Sequence, residues 1–162
     1  MSESEQLDLK RLASEGAGPF TEEAREITIS RRIPATPAEI FEAWRDPEIM
    51  RRWYFPGPDW SSRMVHDFET GGRYHLTMIN TSGESFAHTG LYREVSPNHR
   101  IVFTWTTPFV KESLVTFTLH PQGDDTEVVI RHQFPAGVNI EMPGLHSQGW
   151  TGTLENIERL FT

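Results

Sequence analysis

Residues 100–134 read RIVFTWTTPFVKESLVTFTLHPQGDDTEVVIRHQF. Large inward-type side chains recur there at every second position: Ile101, Phe103 and Trp105, then Val115, Phe117 and Leu119, then Val128, Ile130 and His132. Successive side chains of a strand point to opposite faces, so this period marks strands with one buried face. Pro108 and the Gly123-Asp124 pair punctuate the stretch, and loops this short join antiparallel neighbours without crossover helices. Upstream the pattern continues in RMVHDFE (63–69), YHLTMIN (74–80) and SFAHTGLYREV (85–95), separated by Gly71-Gly72, Asn80 to Gly83 and Ser96-Pro97-Asn98. Six consecutive strands in a meander are predicted.

Two kinds of segment flank the meander. REITISRRI (25–33) alternates Ile27, Ile29 and Arg31 against Glu26, Thr28 and Ser30, which reads as a first strand. Thr36-Pro37 followed by Glu39 is a capping box with proline at the first helical position; Ile40, Phe41 and Trp44 then fall on one helical face. Asp46-Pro47 breaks that helix before a second short turn at 48–55. At the other end, MPGLHSQGWTGTLENIERLF (142–161) places Trp150, Leu154, Ile157 and Phe161 on one stripe of a long helix. The predicted class is α+β, a curved antiparallel sheet of about seven strands in the order β-α-α-β-β-β-β-β-β-α, with the C-terminal helix across its concave face. Residues 1–21, rich in Ser, Glu and Gly, are expected to form a flexible tail, and residues 22–162 a single domain.

Composition narrows the functions open to such a domain. Fifteen basic and 23 acidic residues give a net charge of −8, which repels phosphate backbones and anionic membrane surfaces, so no nucleic-acid partner is expected. Without cysteine there are no disulfides, thiolate metal sites or thiol nucleophiles. No apolar run approaches the roughly 18 residues of a membrane span, and the acidic opening MSESEQLDLK does not read as a signal peptide, so a cytoplasmic location is expected.

The element order resembles the helix-grip fold of the START and birch-allergen-like superfamily, SRPBCC. Four blocks sharpen it: ITISRRIPATPAEIFEAW (27–44), GGRYHLTM (71–78), GLYREVSPNHRIVFTW (90–105) and HSQGWTGTLENIERL (146–160). Together they resemble the activator of heat shock protein 90 ATPase homologue family, in its C-terminal-domain type. The resemblance implies a stand-alone START-like domain without a cofactor. The name-giving co-chaperones carry a further N-terminal domain for their chaperone contacts, and a tail of about twenty residues is below the roughly 50 residues of a small domain. Activator function is therefore not expected to come with the fold.

A twisted sheet and a helix laid across it diverge, and the gap is a natural ligand cavity. The residues expected to line it are Trp53, Tyr74, Met78, His88, Trp105, Phe117, His132 and Trp150. Trp53 and Trp60 bracket the loop Tyr54-Phe55-Pro56-Gly57-Pro58, a candidate lid. The expected partner is a small hydrophobic or amphipathic molecule. Ranked behind this are a cyclase- or hydratase-type enzyme using His88 or His132 as general acid-base, and a chaperone-interacting module. No residue set stands out as catalytic. His66, His88 and His132 share inward positions but lack metal-motif spacing, so no metal site is expected. His146, at the start of the last helix and four residues before Trp150 on the same face, is expected to cap the helix or face solvent, with a place at the cavity mouth as the alternative.

Overall fold

The computed structural model describes residues 25–57 and 59–162, and the expected tail at 1–21 lies outside them. Strand β1 (Arg25–Ile33) is followed by α1 (Pro37–Arg45) and the short α2 (Pro47–Met50). Next come β2 (Ser61–His66), β3 (Arg73–Ile79), β4 (Ser85–Ser96), β5 (Arg100–Trp105), β6 (Ser113–Gln122) and β7 (Asp125–Phe134), then α3 (Met142–Leu160). The strands form one antiparallel sheet in the order β1-β7-β6-β5-β4-β3-β2. This is the α+β order that the alternating sequence implied and the helix-grip arrangement that the resemblance implied.

The meander explains all of this order except its first strand. β1 pairs with β7, so it lies at the opposite edge from β2, and α1 with α2 must carry the chain from one edge to the other. Local chemistry places their ends. The Thr36 hydroxyl accepts from the Glu39 N–H at 3.2 Å, and the Glu39 carboxylate accepts from the Thr36 N–H at 3.1 Å. Asp46 then ends α1 and caps α2 through the Glu48 N–H at 2.9 Å. β2 begins two residues before the expected stretch and stops at His66, where Asp67 turns the chain toward β3. A register shift in the β4–β5 ladder between Tyr92 and Glu94 adds a bulge, the device by which sheets bend.

The inward residues read from β3 to β7 are buried, from Tyr74, Leu76 and Met78 through Val128, Ile130 and His132, whereas Ile27 and Ile29 on β1 and His66 on β2 are half-buried. α3 covers the β1 and β7 side of the sheet. Arg31 on β1 meets Glu158 on α3 through two parallel N–H···O bonds of 3.1 Å, a partly exposed fork that orients more than it stabilises. Among the described residues no helix is long and apolar enough to cross a membrane.

Gly152 lets α3 press against the Trp53–Gly57 segment, because a Cβ there would lie 2.1 Å from the Pro56 carbonyl oxygen. Gly144, on the same helix, has open space around it. Gly→Ala in a helix ordinarily stabilises by up to about 1 kcal/mol. Gly144→Ala is expected to be neutral or to follow that sign, whereas Gly152→Ala should cost about 1–3 kcal/mol by overpacking. Equilibrium urea denaturation of the two variants checks the contrast, and equal effects would refute the close approach.

Candidate functional site

Aromatic rings fill the middle of the gap between helix and sheet. Trp44 from α1 is the hub: its ring centroid lies 4.5 Å from Phe117, 5.1 Å from Tyr54, 5.3 Å from Trp53 and 5.4 Å from Phe103. Edge and tilted contacts of this kind pack rings as in a protein interior. One end of the gap is open. There Met78, Trp105, His146, Gly149, Trp150 and Thr153, with Pro56 beside them, line a cavity of about 20 Å³. A water needs at least about 10–15 Å³, so the space matches one water. This cavity is thus far smaller than a lipid chain needs.

Beside this cavity runs a chain of hydrogen bonds. The Trp150 indole N–H donates to His132 Nδ1 at 2.9 Å. His132 Nδ1 is therefore an acceptor, the proton sits on Nε2, and Nε2 donates to Ser113 Oγ at 2.6 Å. Ser113 passes its own proton to the Trp105 carbonyl at 3.2 Å. A serine hydroxyl 2.6 Å from an imidazole resembles a nucleophile and its base, yet the polarity is opposite: a base must accept from the serine, and His132 donates to it. Both ring nitrogens are occupied, and burial holds the imidazole neutral, its pKa well below the ordinary value. His132 is an architectural group here.

His146 and Trp105, both lining residues, also carry polar atoms without partners. His146 Nδ1 donates to the Met142 carbonyl at 2.9 Å, one turn back on α3, which leaves Nε2 as an unprotonated acceptor. That Nε2 and the Trp105 Nε1–H are both buried and have no hydrogen-bond partner. Asn139 Nδ2 is the third such atom among the described residues, and it lies in the loop before α3. His146 is 3% exposed and Trp105 2%, so the expectation that His146 caps the helix or faces solvent is overturned. It sits one turn before Trp150 on the same face, and that face is turned inward by the Trp150–His132 bond.

The other expected lining residues divide into three groups. Met78, Trp105 and Trp150 line the cavity. His132 and Phe117 stand directly behind Trp150, with ring centroids 6.0 and 5.8 Å away, and His88 lies against Trp105 at 4.7 Å. Trp53 and Tyr74 do not line it: Trp53 stacks on Tyr54 and donates to the Ala43 carbonyl, while the Tyr74 hydroxyl donates to the Thr104 carbonyl at 2.5 Å. His88 donates from Nδ1 to the Phe86 carbonyl at 3.0 Å, and burial lowers its pKa to about 3. His66 stands apart, bonded to the Tyr92 hydroxyl at 2.6 Å and the Arg45 carbonyl at 3.1 Å. Among the described residues no group of three or more His, Asp or Glu side chains is placed to hold a metal ion.

The candidate lid is tied down. The Thr153 hydroxyl shares its proton between the carbonyls of Gly149 at 3.1 Å and Phe55 at 3.2 Å, and Asn156 donates to the carbonyls of Phe55 at 2.7 Å and Trp53 at 3.3 Å. Sequence reasoning missed Ser113, Thr153 and Asn156. Their signal was nevertheless present, since Ser113 shares the two-residue period of Val115 and Phe117, and Thr153 and Asn156 fall on the buried stripe of Trp150 and Ile157.

Fold and site together define a helix-grip, START-like domain. The family model described as Activator of Hsp90 ATPase homolog 1-like protein matches residues 34–162, and the chain belongs to that family. Among solved structures it is similar to a protein of Rhizobium loti, at 28% identity over 85% of this chain and 97% of that one, with a TM-score of 0.69. A protein of Chromobacterium violaceum aligns at 25% identity over 84% and 96%, TM-score 0.73. An AHSA1-like protein of Aeromonas hydrophila aligns at 24% identity over 84% and 91%, TM-score 0.72. No curated protein matches the sequence significantly.

The buried imidazoles predict acid sensitivity. Burial lowers His88 to about 3 and His146 to about 4, against an ordinary 6.5. Between pH 6.5 and 4 the unfolded chain therefore binds protons that the folded chain refuses, so stability is complete above 6.5 and falls on acidification. Each histidine contributes up to about 1.4 kcal/mol per pH unit. The urea midpoint should drop between pH 7.5 and 5, and less so in His146→Gln. A midpoint constant over that interval would show that the rings charge inside the fold.

Proposed function

We propose that this chain is a binding domain that takes one end of a small hydrophobic or amphipathic molecule between α3 and the sheet. Met78, Trp105 and Trp150 form the apolar walls. One observation carries this reading: a buried donor, Trp105 Nε1–H, and a buried acceptor, His146 Nε2, both without partners, belong to residues lining one apolar cavity. An unpaired buried polar group costs about 1–3 kcal/mol, and a stable core does not carry two of them in one place without a use. A water supplies their partners in the resting state and a guest molecule replaces it. A guest larger than water enters by moving Pro56 away from α3, against the bonds that Thr153 and Asn156 make to Phe55.

Amide and indole NMR during titration with fatty alcohols, sterols, flavonoids and polyketide-like aromatics tests the reading. Saturable shifts centred on Met78, Trp105, His146 and Trp150 are expected; shifts confined to the outer face of the sheet, or none, would refute it. Met78→Ala should enlarge the cavity, cost about 2–5 kcal/mol of stability, and admit benzene-sized probes. Denaturation with and without benzene reads both effects.

A further inference from the structure

The proposed binding site also specifies the chemistry of the group it receives. Trp105 can only donate through Nε1, because indole nitrogen has no lone pair to offer. His146 can only accept through Nε2, because its single proton is committed to the Met142 carbonyl. The two ring centroids lie 6.5 Å apart with the planes at 82°. The donor and the acceptor thus belong to neighbouring rings that line the same cavity. None of the cavity-lining side chains carries a formal charge: they are Pro56, Met78, Trp105, His146, Trp150 and Thr153, with Gly149 between them.

Resting on that binding reading, we infer that the recognised group is a neutral hydroxyl, an alcohol or a phenol, accepting from Trp105 Nε1–H and donating to His146 Nε2. Carbonyl and ether oxygens, hydrocarbons and ions fail on donor and acceptor count or on charge. A ketone, ester or ether oxygen accepts from Trp105 and leaves His146 Nε2 unpaired. A hydrocarbon leaves both atoms unpaired. A carboxylate presents acceptors alone and brings a charge into an apolar site with no cation beside it. An ammonium group finds one acceptor and no anion. A hydroxyl has one donor and spare lone pairs on the same atom, as water does, so a ligand hydroxyl takes over the water's two bonds while its carbon body lies on Met78 and Trp150. His146 stays neutral well into the acid range, with a pKa of about 4 set by burial, so the acceptor persists at physiological pH.

The test uses the intact protein at pH 7.5 and four probes of similar shape: cyclohexanol, cyclohexanone, methylcyclohexane and cyclohexanecarboxylate. Binding is followed by the Trp105 indole N–H resonance, assigned through Trp105→Phe, and by the ¹⁵N shift of His146 Nε2. Cyclohexanol should move both signals and cyclohexanone only the indole, while the carboxylate binds at least tenfold more weakly than the alcohol. The ratio of alcohol to hydrocarbon affinity should fall about tenfold in Trp105→Phe, the worth of one hydrogen bond to a buried group. If methylcyclohexane and cyclohexanol bind the cavity with a ratio that the variant does not change, the hydroxyl assignment is overturned while the binding domain stands. The same holds if the carboxylate binds best. If none of the four shifts any cavity resonance, both readings fail.

Discussion

Trp150 on α3 donates to His132 on β7, His132 donates to Ser113 on β6, and Ser113 donates to the backbone of Trp105 on β5. These three bonds run in one direction across four elements, all in the buried interior, where aligned hydrogen bonds polarise one another. Their main consequence is rotational. A helix packed only by apolar contacts has latitude to turn about its axis, but Trp150 is pinned at its indole nitrogen. With that residue fixed, His146 one turn before it and Thr153 one turn after it must also face the sheet. The cavity, the unpaired His146 nitrogen and the strap to Phe55 all follow from this one orientation.

The same chain separates architecture from chemistry within a group of similar rings. His132 and His146 lie 5.3 Å apart with perpendicular planes, yet their roles diverge. His132 spends both nitrogens on the fold, whereas His146 spends one and keeps one. His88, pressed on Trp105, helps fix the donor ring from the side of β4. Burial keeps all three neutral, and that neutrality suits the site to uncharged polar groups.

Aromatic content works in two ways in this domain. Trp44, Tyr54, Phe103 and Phe117 close the centre of the gap by mutual packing. Trp105 and Trp150, 5.1 Å apart, pack just as closely but also line the cavity. Residue type does not distinguish these fates, which is why Trp53 and Tyr74 were read as lining residues alongside Met78 and Trp150. Trp53 finds Tyr54 and the Ala43 carbonyl, and Tyr74 finds the Thr104 carbonyl, so both become part of the filled core.

Periodicity alone determined the strands, the helices, their order and the inward column on each strand, because the direction of a side chain along a regular element is a local property of the backbone. The capping box at Thr36 and Glu39 and the break at Asp46-Pro47 were legible for the same reason. The identity of inward residues such as His132 and Phe117 could thus be read before any contact was known. Only the tertiary structure decided which of them faces a void, and which polar atoms go without a partner. Those properties belong to Trp105, His146 and Pro56 jointly, residues brought together from β5, α3 and the segment after α2, and no spacing within one segment encodes the distance between three. His146 shows the limit most plainly: its sequence position allowed capping, solvent or the cavity mouth, and the distant bond between Trp150 and His132 selected the inward one.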